Sequence, residues 1–77
     1  MSPRKLPPTP KYLCERLRMV RRRLALDTAR LANKAGCHPE IIAGIESGVI
    51  TKPLNINRIA AALGVSPIWL QFGEPWA

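Results

Sequence analysis

The sequence predicts an all-α domain of five short helices with no β-sheet. Apolar residues recur at helical spacing in five segments, and no segment shows the sustained alternation that is typical of a strand. Glycine or proline stands at most junctions between these segments, where such residues commonly end or begin helices. The chain has 77 residues, of which 47% are hydrophobic and 5% aromatic. It can therefore bury one small core, built mostly from aliphatic side chains.

The N-terminal part is predicted to contain an arm and a first helix. Residues 1–10 include four prolines, which are incompatible with a helix or a central strand, so they are predicted to form a proline-rich basic arm. Residues 11–77 then form the folded domain. Helix 1 is predicted from about Lys11 to Leu24. Its apolar stripe consists of Leu13, Leu17, Val20 and Leu24.

The next two segments are predicted to be a short helix, a glycine turn and a second short helix. A side chain that accepts a hydrogen bond suits the N-cap before residues 28–35, and glycine suits the C-cap after them. Proline is tolerated at the first position of a helix, which places helix 3 over residues 39–46. The residues that bound the two helices are Asp27, Gly36, His38, Pro39 and Gly48. This spacing is that of a helix-turn-helix, a unit that places one helix in the major groove of DNA.

Two further helices complete the predicted fold. Helix 4 is expected to be capped by Asn55 and to stop at Gly64. Helix 5 is expected to begin at Ser66-Pro67 and to end at Gly73. The side chains of helices 2 to 4 that are predicted to face inward are Leu31, Ala32, Ala35, Ile42, Ile45, Ile56, Ile59, Ala60 and Leu63.

Positive charge is concentrated at one end of the chain. The net charge is +7; the first 23 residues carry eight basic residues and one acidic residue, whereas the rest carries four of each. A basic stripe suits a polyanion such as nucleic acid, although a merely solvated helix face would show the same composition. Together with the helix-turn-helix spacing, the charge favours nucleic acid as the partner.

Other classes of function have little support in the residues. No apolar run approaches the ~20 residues of a membrane-spanning helix. The basic N-terminus is not followed by an apolar stretch, as it would be in a secretory signal. We therefore expect a cytoplasmic protein without a membrane partner. Cys14 and Cys37 are expected to act as small hydrophobic side chains, because two distant cysteines and one histidine make no metal site. Without a glycine-rich phosphate loop or paired carboxylates, neither a cofactor nor an enzymatic activity is expected.

Several short elements of the sequence together indicate a family. They are Arg16-Leu17, Leu31-Ala32, Gly36, Ile42, Ile45-Glu46, Gly48, Pro53, Ala62-Leu63-Gly64-Val65-Ser66, and Trp69-Leu70 with Gly73. With these elements the chain resembles the Cro and repressor DNA-binding domains of lambdoid phages and prophages. The resemblance implies a five-helix lambda-repressor-like domain that binds operator DNA as a two-fold dimer. It also implies that Arg21 of helix 1 lies beside Glu46 at the end of helix 3.

The resemblance further implies which residues contact DNA. Many members of the family have glutamine where Thr28 stands, and threonine can still donate one hydrogen bond to a phosphate. In helix 3, Glu40 can accept from cytosine N4, and Ile41 or Ala43 can meet a thymine methyl group. Gly44 reads no base but lets the helix approach closely. The full predicted set is Arg21, Arg22, Thr28, His38, Pro39, Glu40, Ile41, Ala43, Gly44, Ser47, Thr51 and Lys52.

Two functions are compatible with these residues. The leading interpretation is a sequence-specific transcriptional regulator of phage or prophage type, with helix 3 in the major groove of a double-stranded DNA operator. The alternative is a protein-interaction module on the same scaffold, similar to an antirepressor or an antitoxin, because helix 3 is poor in hydrogen-bond donors.

Assembly is predicted from the small number of bases that one domain contacts. One domain contacts too few bases to select a single site in a genome. A weak homodimer, or a dimer formed only on DNA, would contact two half-sites and so enough bases. Its surface is predicted around Ile68, Phe72 and Trp76. In the alternative packing, Trp69 and Phe72 are core residues and Trp76 folds back onto helix 1.

Overall fold

The fold is that of a computed structural model, which describes residues 9–73. Most of the predicted arm and Trp76 lie outside the described residues. All five predicted helices are present, and residues 9–73 contain no strand. The helices are α1 (Leu13–Arg23), α2 (Thr28–Ala35), α3 (Pro39–Glu46), α4 (Ile56–Leu63) and α5 (Pro67–Phe72).

Helix α1 is shorter than its apolar stripe predicts. Leu17 is fully buried, whereas Leu24 is 46% exposed and follows the last helical residue. The chain turns there because Ala25 adopts a left-handed conformation with φ 56°, and the Leu26 amide donates to the Arg21 carbonyl at 3.1 Å. Helix 1 therefore ends one residue before the predicted Leu24, which is its C-cap, and the prediction that Leu24 belongs to the buried stripe is wrong.

Helices α2 and α3 follow each other across a tight turn, as the sequence predicts. The Asp27 carboxylate accepts a hydrogen bond from the Arg30 amide at 2.7 Å, which caps the first turn of α2. Gly36 ends α2 with φ 73°, a left-handed conformation that glycine adopts without strain. The Cys37 amide then donates to the Ala32 carbonyl at 2.9 Å. These bonds fix the course of the chain between the two helices.

Helices α4 and α5 lie where the sequence predicts, with one difference in capping. The Ser66 Oγ accepts a hydrogen bond from the Trp69 amide at 3.2 Å. Asn55 precedes α4, but its side chain makes no capping hydrogen bond, so the prediction that it caps the helix is wrong. Its backbone, at φ −92° and ψ 16°, lacks the extended conformation that is typical of an N-cap residue.

One core joins all five helices. Helix α2 packs on α3 and α4, α4 packs on α5, and α1 packs on α3 and α5. Trp69 is buried, whereas Phe72 and Ile68 are 71% and 55% exposed, so the alternative that made both Trp69 and Phe72 core residues is correct only for Trp69. The buried apolar residues are Leu13, Leu17, Leu31, Ala32, Ala35, Ile42, Ile45, Ile59, Ala60, Leu63, Trp69 and Leu70.

One charged side chain lies inside the fold. Arg16 is 2% exposed, and its guanidinium donates to four main-chain carbonyls. Burial lowers the pKa of Arg16 from its ordinary value, but an arginine remains charged at neutral pH. The side chain therefore joins the start of α1 to the end of α5. Its acceptors are the carbonyls of Pro10 at 2.9 Å, Lys11 at 2.8 Å, Leu70 at 2.8 Å and Gln71 at 2.7 Å.

Candidate nucleic-acid interface

Helix α3 has one buried face and one exposed face. Ile42 and Ile45 are fully buried and hold the helix on the core. The exposed residues Glu40, Ala43 and Ser47 follow one another at steps of three and four, so they share one side of the helix, away from the core. His38 at the N-cap and Pro39 are also exposed and lie at the start of the helix.

The exposed face of α3 offers few hydrogen-bonding groups. The side chains of Pro39 and Ala43 have none. His38 makes no capping hydrogen bond with its side chain, so the cap does not fix its ring. The Glu40 carboxylate offers acceptors only, and its charge repels phosphates. The exposed face of α3 therefore offers apolar surface and carboxylate acceptors, and it lacks a lysine or arginine that would attract a phosphate.

Two predicted site residues are turned away from this face. Ile41 is half-buried and packs against the core. Gly44 is also half-buried, and a Cβ atom built on it would lie 2.6 Å from Cδ1 of Ile50. The bare side of Gly44 therefore faces the loop that follows α3. This is a different reason for glycine from the close approach to DNA that the sequence suggested.

The loop between α3 and α4, residues 47–55, carries two of the predicted DNA-binding residues. Thr51 and Lys52 are both exposed. The Gln71 Nε2 donates to the Thr51 carbonyl at 2.8 Å, and Pro53 is buried directly after Lys52. Nothing in the sequence pattern pointed to Gln71, because its partner is a main-chain group in a distant segment.

The N-termini of α2 and α4 differ in how they can meet an anion. Thr28, the predicted phosphate contact, is the first residue of α2 and is half-buried. The neighbouring Asp27 carboxylate already accepts from an amide of the first turn, and its charge opposes an approaching phosphate. Helix α4 begins without a capping side chain, so its first-turn N–H groups are better placed to bind an anion.

The predicted pair of Arg21 and Glu46 is present. Nε and Nη2 of Arg21 donate to the two carboxylate oxygens at 2.5 and 3.0 Å, and Nη1 donates to the Leu26 carbonyl at 2.9 Å. The side chains are only 14% and 11% exposed. The hydrogen bond with Glu46 raises the pKa of Arg21, against an opposing effect of burial. Three of the five N–H groups of Arg21 are therefore engaged within the protein.

A second arginine that the sequence pattern did not reveal joins this pair. Arg18 Nη2 donates to the Glu46 carbonyl at 2.9 Å, and its Nε lies 3.4 Å from the carboxylate. A cation at the C-terminus of α3 offsets the negative end of the helix dipole. Part of the basic excess of α1 is therefore structural rather than free for a polyanion. The exposed arginines of α1 are Arg22, which was predicted to contact DNA, and Arg23.

The two cysteines and the acidic residues assemble no further site among residues 9–73. No group of three or more histidine, cysteine or acidic side chains there is placed to hold a metal ion, and none of the helices is long and apolar enough to span a membrane. Cys14 and Cys37 are half-buried free thiols. Desolvation raises the pKa of the Cys37 thiol, and the charge of Arg58 opposes this shift. The Cys37 thiol therefore stays protonated at pH values where an ordinary thiol begins to ionise.

Comparisons with known proteins point to one family. The helix-turn-helix family HTH_3 matches residues 17–70. The HTH-type transcriptional regulator PrtR of Pseudomonas aeruginosa is 38% identical over 65 residues, which are 84% of this chain and 25% of that protein. This chain therefore spans about a quarter of that relative's length. The crystal structure of hypothetical transcription factor NHTF from Neisseria is similar with a TM-score of 0.72 and 26% identity, covering 94% of this chain and 85% of that one.

Proposed function

Because this chain belongs to the helix-turn-helix family, we propose that it is a sequence-specific transcriptional regulator that inserts α3 into the major groove of DNA. The observation that carries the proposal is the exposed face of α3, opposite the buried Ile42 and Ile45. An α-helix with its side chains is about 10–12 Å in diameter, which suits the major groove of about 12 Å width. The phage or prophage origin and the cytoplasmic location expected from the sequence remain part of this proposal.

The residues of the interface divide into base readers and phosphate contacts. Glu40 accepts from cytosine N4, and Ala43 meets a thymine methyl group. Lys52 and Arg22 supply the cations, and the uncapped N-terminus of α4 supplies N–H groups. Thr28 adds one hydroxyl at the start of α2. Base contacts choose the sequence, whereas phosphate contacts bind every sequence alike.

The experiment that tests this proposal compares two exposed glutamates that lie on different helices. Glu40→Gln and Glu15→Gln each remove one negative charge from an exposed helix position, on α3 and on α1 respectively. Base preference is measured by binding a library of randomised duplexes. We expect Glu40→Gln to change the preferred bases and Glu15→Gln to leave them unchanged. If both variants only tighten binding to every duplex by the same factor, α3 does not read bases.

We further propose that two copies pair on DNA through α5. Ile68 and Phe72 expose large apolar side chains on this helix, which a monomer leaves in contact with water. Pairing would place the two α3 helices on half-sites about one helical turn, roughly 34 Å, apart.

A protein-interaction module is the second candidate. The donor-poor face of α3 favours it, as does an apolar groove of about 400 Å³ whose lining includes Tyr12, Ile50 and Phe72. A salt titration distinguishes the two functions, because only phosphate neutralisation gives a steep decrease of DNA affinity with salt.

A further inference from the structure

The α3–α4 loop is fixed to α3 at its first half. The Ile50 amide donates to the Gly44 carbonyl at 3.0 Å, and the Ser47 Oγ donates to the same carbonyl at 3.0 Å. The Ile50 side chain fills the space beside Gly44 that any other residue would occupy with its Cβ. The packing of the Ile50 side chain against α3 therefore depends on the absence of a side chain at residue 44.

The second half of the loop is held by a different helix. Gln71 of α5 donates its Nε2 hydrogen bond to the Thr51 carbonyl at 2.8 Å. Pro53 is buried, and its ring restricts the backbone. Lys52 stands between these two anchored neighbours with its own side chain exposed.

Lys52 is separated in the sequence from the other basic residues. It is the only lysine or arginine between residues 35 and 57, a stretch that contains all of α3 and the loop after it. Glu40 is exposed on α3 and brings negative charge to the same stretch, whereas the charge of Glu46 is offset by Arg21 and Arg18. Lys52 is therefore the cation that this stretch can offer to a duplex that contacts α3. Its backbone is already held in place before DNA binds.

We infer that Gly44 and Gln71 are positioning residues that hold Lys52 at a DNA phosphate beside α3, an inference that rests on the proposed DNA-binding function. Gly44 acts through Ile50, and Gln71 acts through the Thr51 carbonyl. Because the loop is ordered in the free protein, the phosphate contact requires little additional loss of backbone entropy on binding. Gly44 thus contributes to binding without touching a base.

Variants of each anchor test the inference. In Gly44→Ala the new Cβ would lie 2.6 Å from Cδ1 and 3.0 Å from Cγ1 of Ile50, so the Ile50 side chain must shift, and we expect the loop to move with it. Adding Ile50→Ala removes both atoms and leaves a contact of 3.9 Å, so this double variant should restore the loop. Gln71→Met keeps the length of the side chain and replaces its amide, including the Nε2 donor, with a thioether. Thermal unfolding of each variant shows that it is folded at the assay temperature.

The first measurement is the salt dependence of binding to a selected duplex. Loss of one phosphate contact lowers the slope of log affinity against log salt by about 0.9, which is about 3.5-fold less affinity lost between about 50 and 200 mM salt. We expect this loss of slope in Lys52→Ala, Gly44→Ala and Gln71→Met. In a Lys52→Ala background, Gly44→Ala and Gln71→Met should have no further effect, and Gly44→Ala with Ile50→Ala should recover the slope when Lys52 is intact.

Hydrogen exchange in the free protein gives a second measurement that needs no DNA. The Ile50 amide, which is bonded to the Gly44 carbonyl, should exchange faster in Gly44→Ala than in the unaltered protein. An equal exchange rate would show that the loop does not move and would overturn the inference. So would a weakening by Gly44→Ala that is equally large with Lys52 and with Ala at position 52.

The outcomes separate the inference from the proposed function. If the unaltered protein binds no duplex, both are rejected. If it binds with a steep salt dependence but Lys52→Ala leaves the slope unchanged, only the inference is rejected, and the cation beside α3 comes from another segment.

Discussion

Arg16 provides the most informative stability prediction, because its partners come from both ends of the described chain. Its Nε donates to the Leu70 carbonyl in a buried position, and the other three hydrogen bonds are partly buried. The side chain is 2% exposed, so its charge is stabilised by these carbonyls rather than by water. Arg16→Met keeps the approximate length of the side chain and removes every donor.

The expected decrease in the free energy of unfolding is smaller than the summed contributions of the four hydrogen bonds. A hydrogen bond to a charged group contributes about 1.5–3 kcal/mol net, so four would give about 6–12 kcal/mol. Removing the guanidinium also removes the cost of burying a charge, which is several kcal/mol. The buried Leu70 carbonyl loses its partner, whereas the other three carbonyls can regain water. We therefore expect Arg16→Met to lower the free energy of unfolding by about 3–5 kcal/mol.

The assay is guanidinium chloride and thermal unfolding followed by far-ultraviolet circular dichroism. For a domain of this size, each kcal/mol shifts the melting temperature by about 4–8 °C, so Arg16→Met should melt at least about 12 °C lower. Arg22→Met, on the exposed side of the same helix, is the matched control and should change stability by less than about 1 kcal/mol. Equal midpoints for the two variants would refute the reasoning that Arg16 joins α1 to α5.

Other parts of the domain give four further predictions, two of stability, one of thiol reactivity and one of pairing on DNA. Arg21→Ala should destabilise the protein by up to ~3–5 kcal/mol, because it removes the main ion-pair partner of the nearly buried Glu46. Equal melting temperatures of Arg21→Ala and Arg22→Ala would contradict this. Ala25→Gly should raise stability by up to about 1 kcal/mol, since it relieves a left-handed backbone, and a lower melting temperature would oppose that account. Alkylation of Cys37 should be slow at neutral pH and should accelerate only above the usual thiol pKa, because desolvation favours the protonated form. A rate at pH 7 equal to that of a free thiol would show that the pKa of Cys37 is not raised. Phe72→Ser should abolish pairing seen by sedimentation on a palindromic duplex, whereas one protein per duplex at saturation for the unaltered chain would reject the dimer.

The parts of the fold that the sequence predicted are those that depend on local signals. The bounds of α2 follow from a capping carboxylate at Asp27 and a glycine at Gly36, and the structure has both. The Arg21–Glu46 pair was implied by resemblance and is confirmed by its hydrogen bonds. Leu24 was assigned wrongly because a repeat of apolar residues does not show where the backbone turns away. That turn depends on a left-handed alanine, a residue that rarely marks a helix end.

The parts that the sequence did not predict depend on contacts between distant segments. In the sequence, Arg16 is one of the basic residues of the first 23 and part of the family pattern. Its carbonyl acceptors at residues 10–11 and 70–71 carry no side-chain signal that would show it to be buried. Gly44 was read as an approach to DNA, because only the path of the loop shows that Ile50 lies against it. Gln71 was missed for the same reason. The predicted contacts on α3, Glu40 among them, remain a prediction about DNA.

Selection of bound sites from random duplexes, followed by titration of the selected and a scrambled duplex at several salt concentrations, tests whether α3 reads a base sequence. We expect one enriched sequence with two half-sites about 34 Å apart, bound at least about 10³-fold more tightly than the scrambled duplex at physiological salt. We also expect affinity for both duplexes to decrease steeply with salt, because phosphate contacts by Lys52 and Arg22 are common to them. Equal affinity for all duplexes, or no enriched sequence after selection, would contradict the claim that α3 reads bases in the major groove.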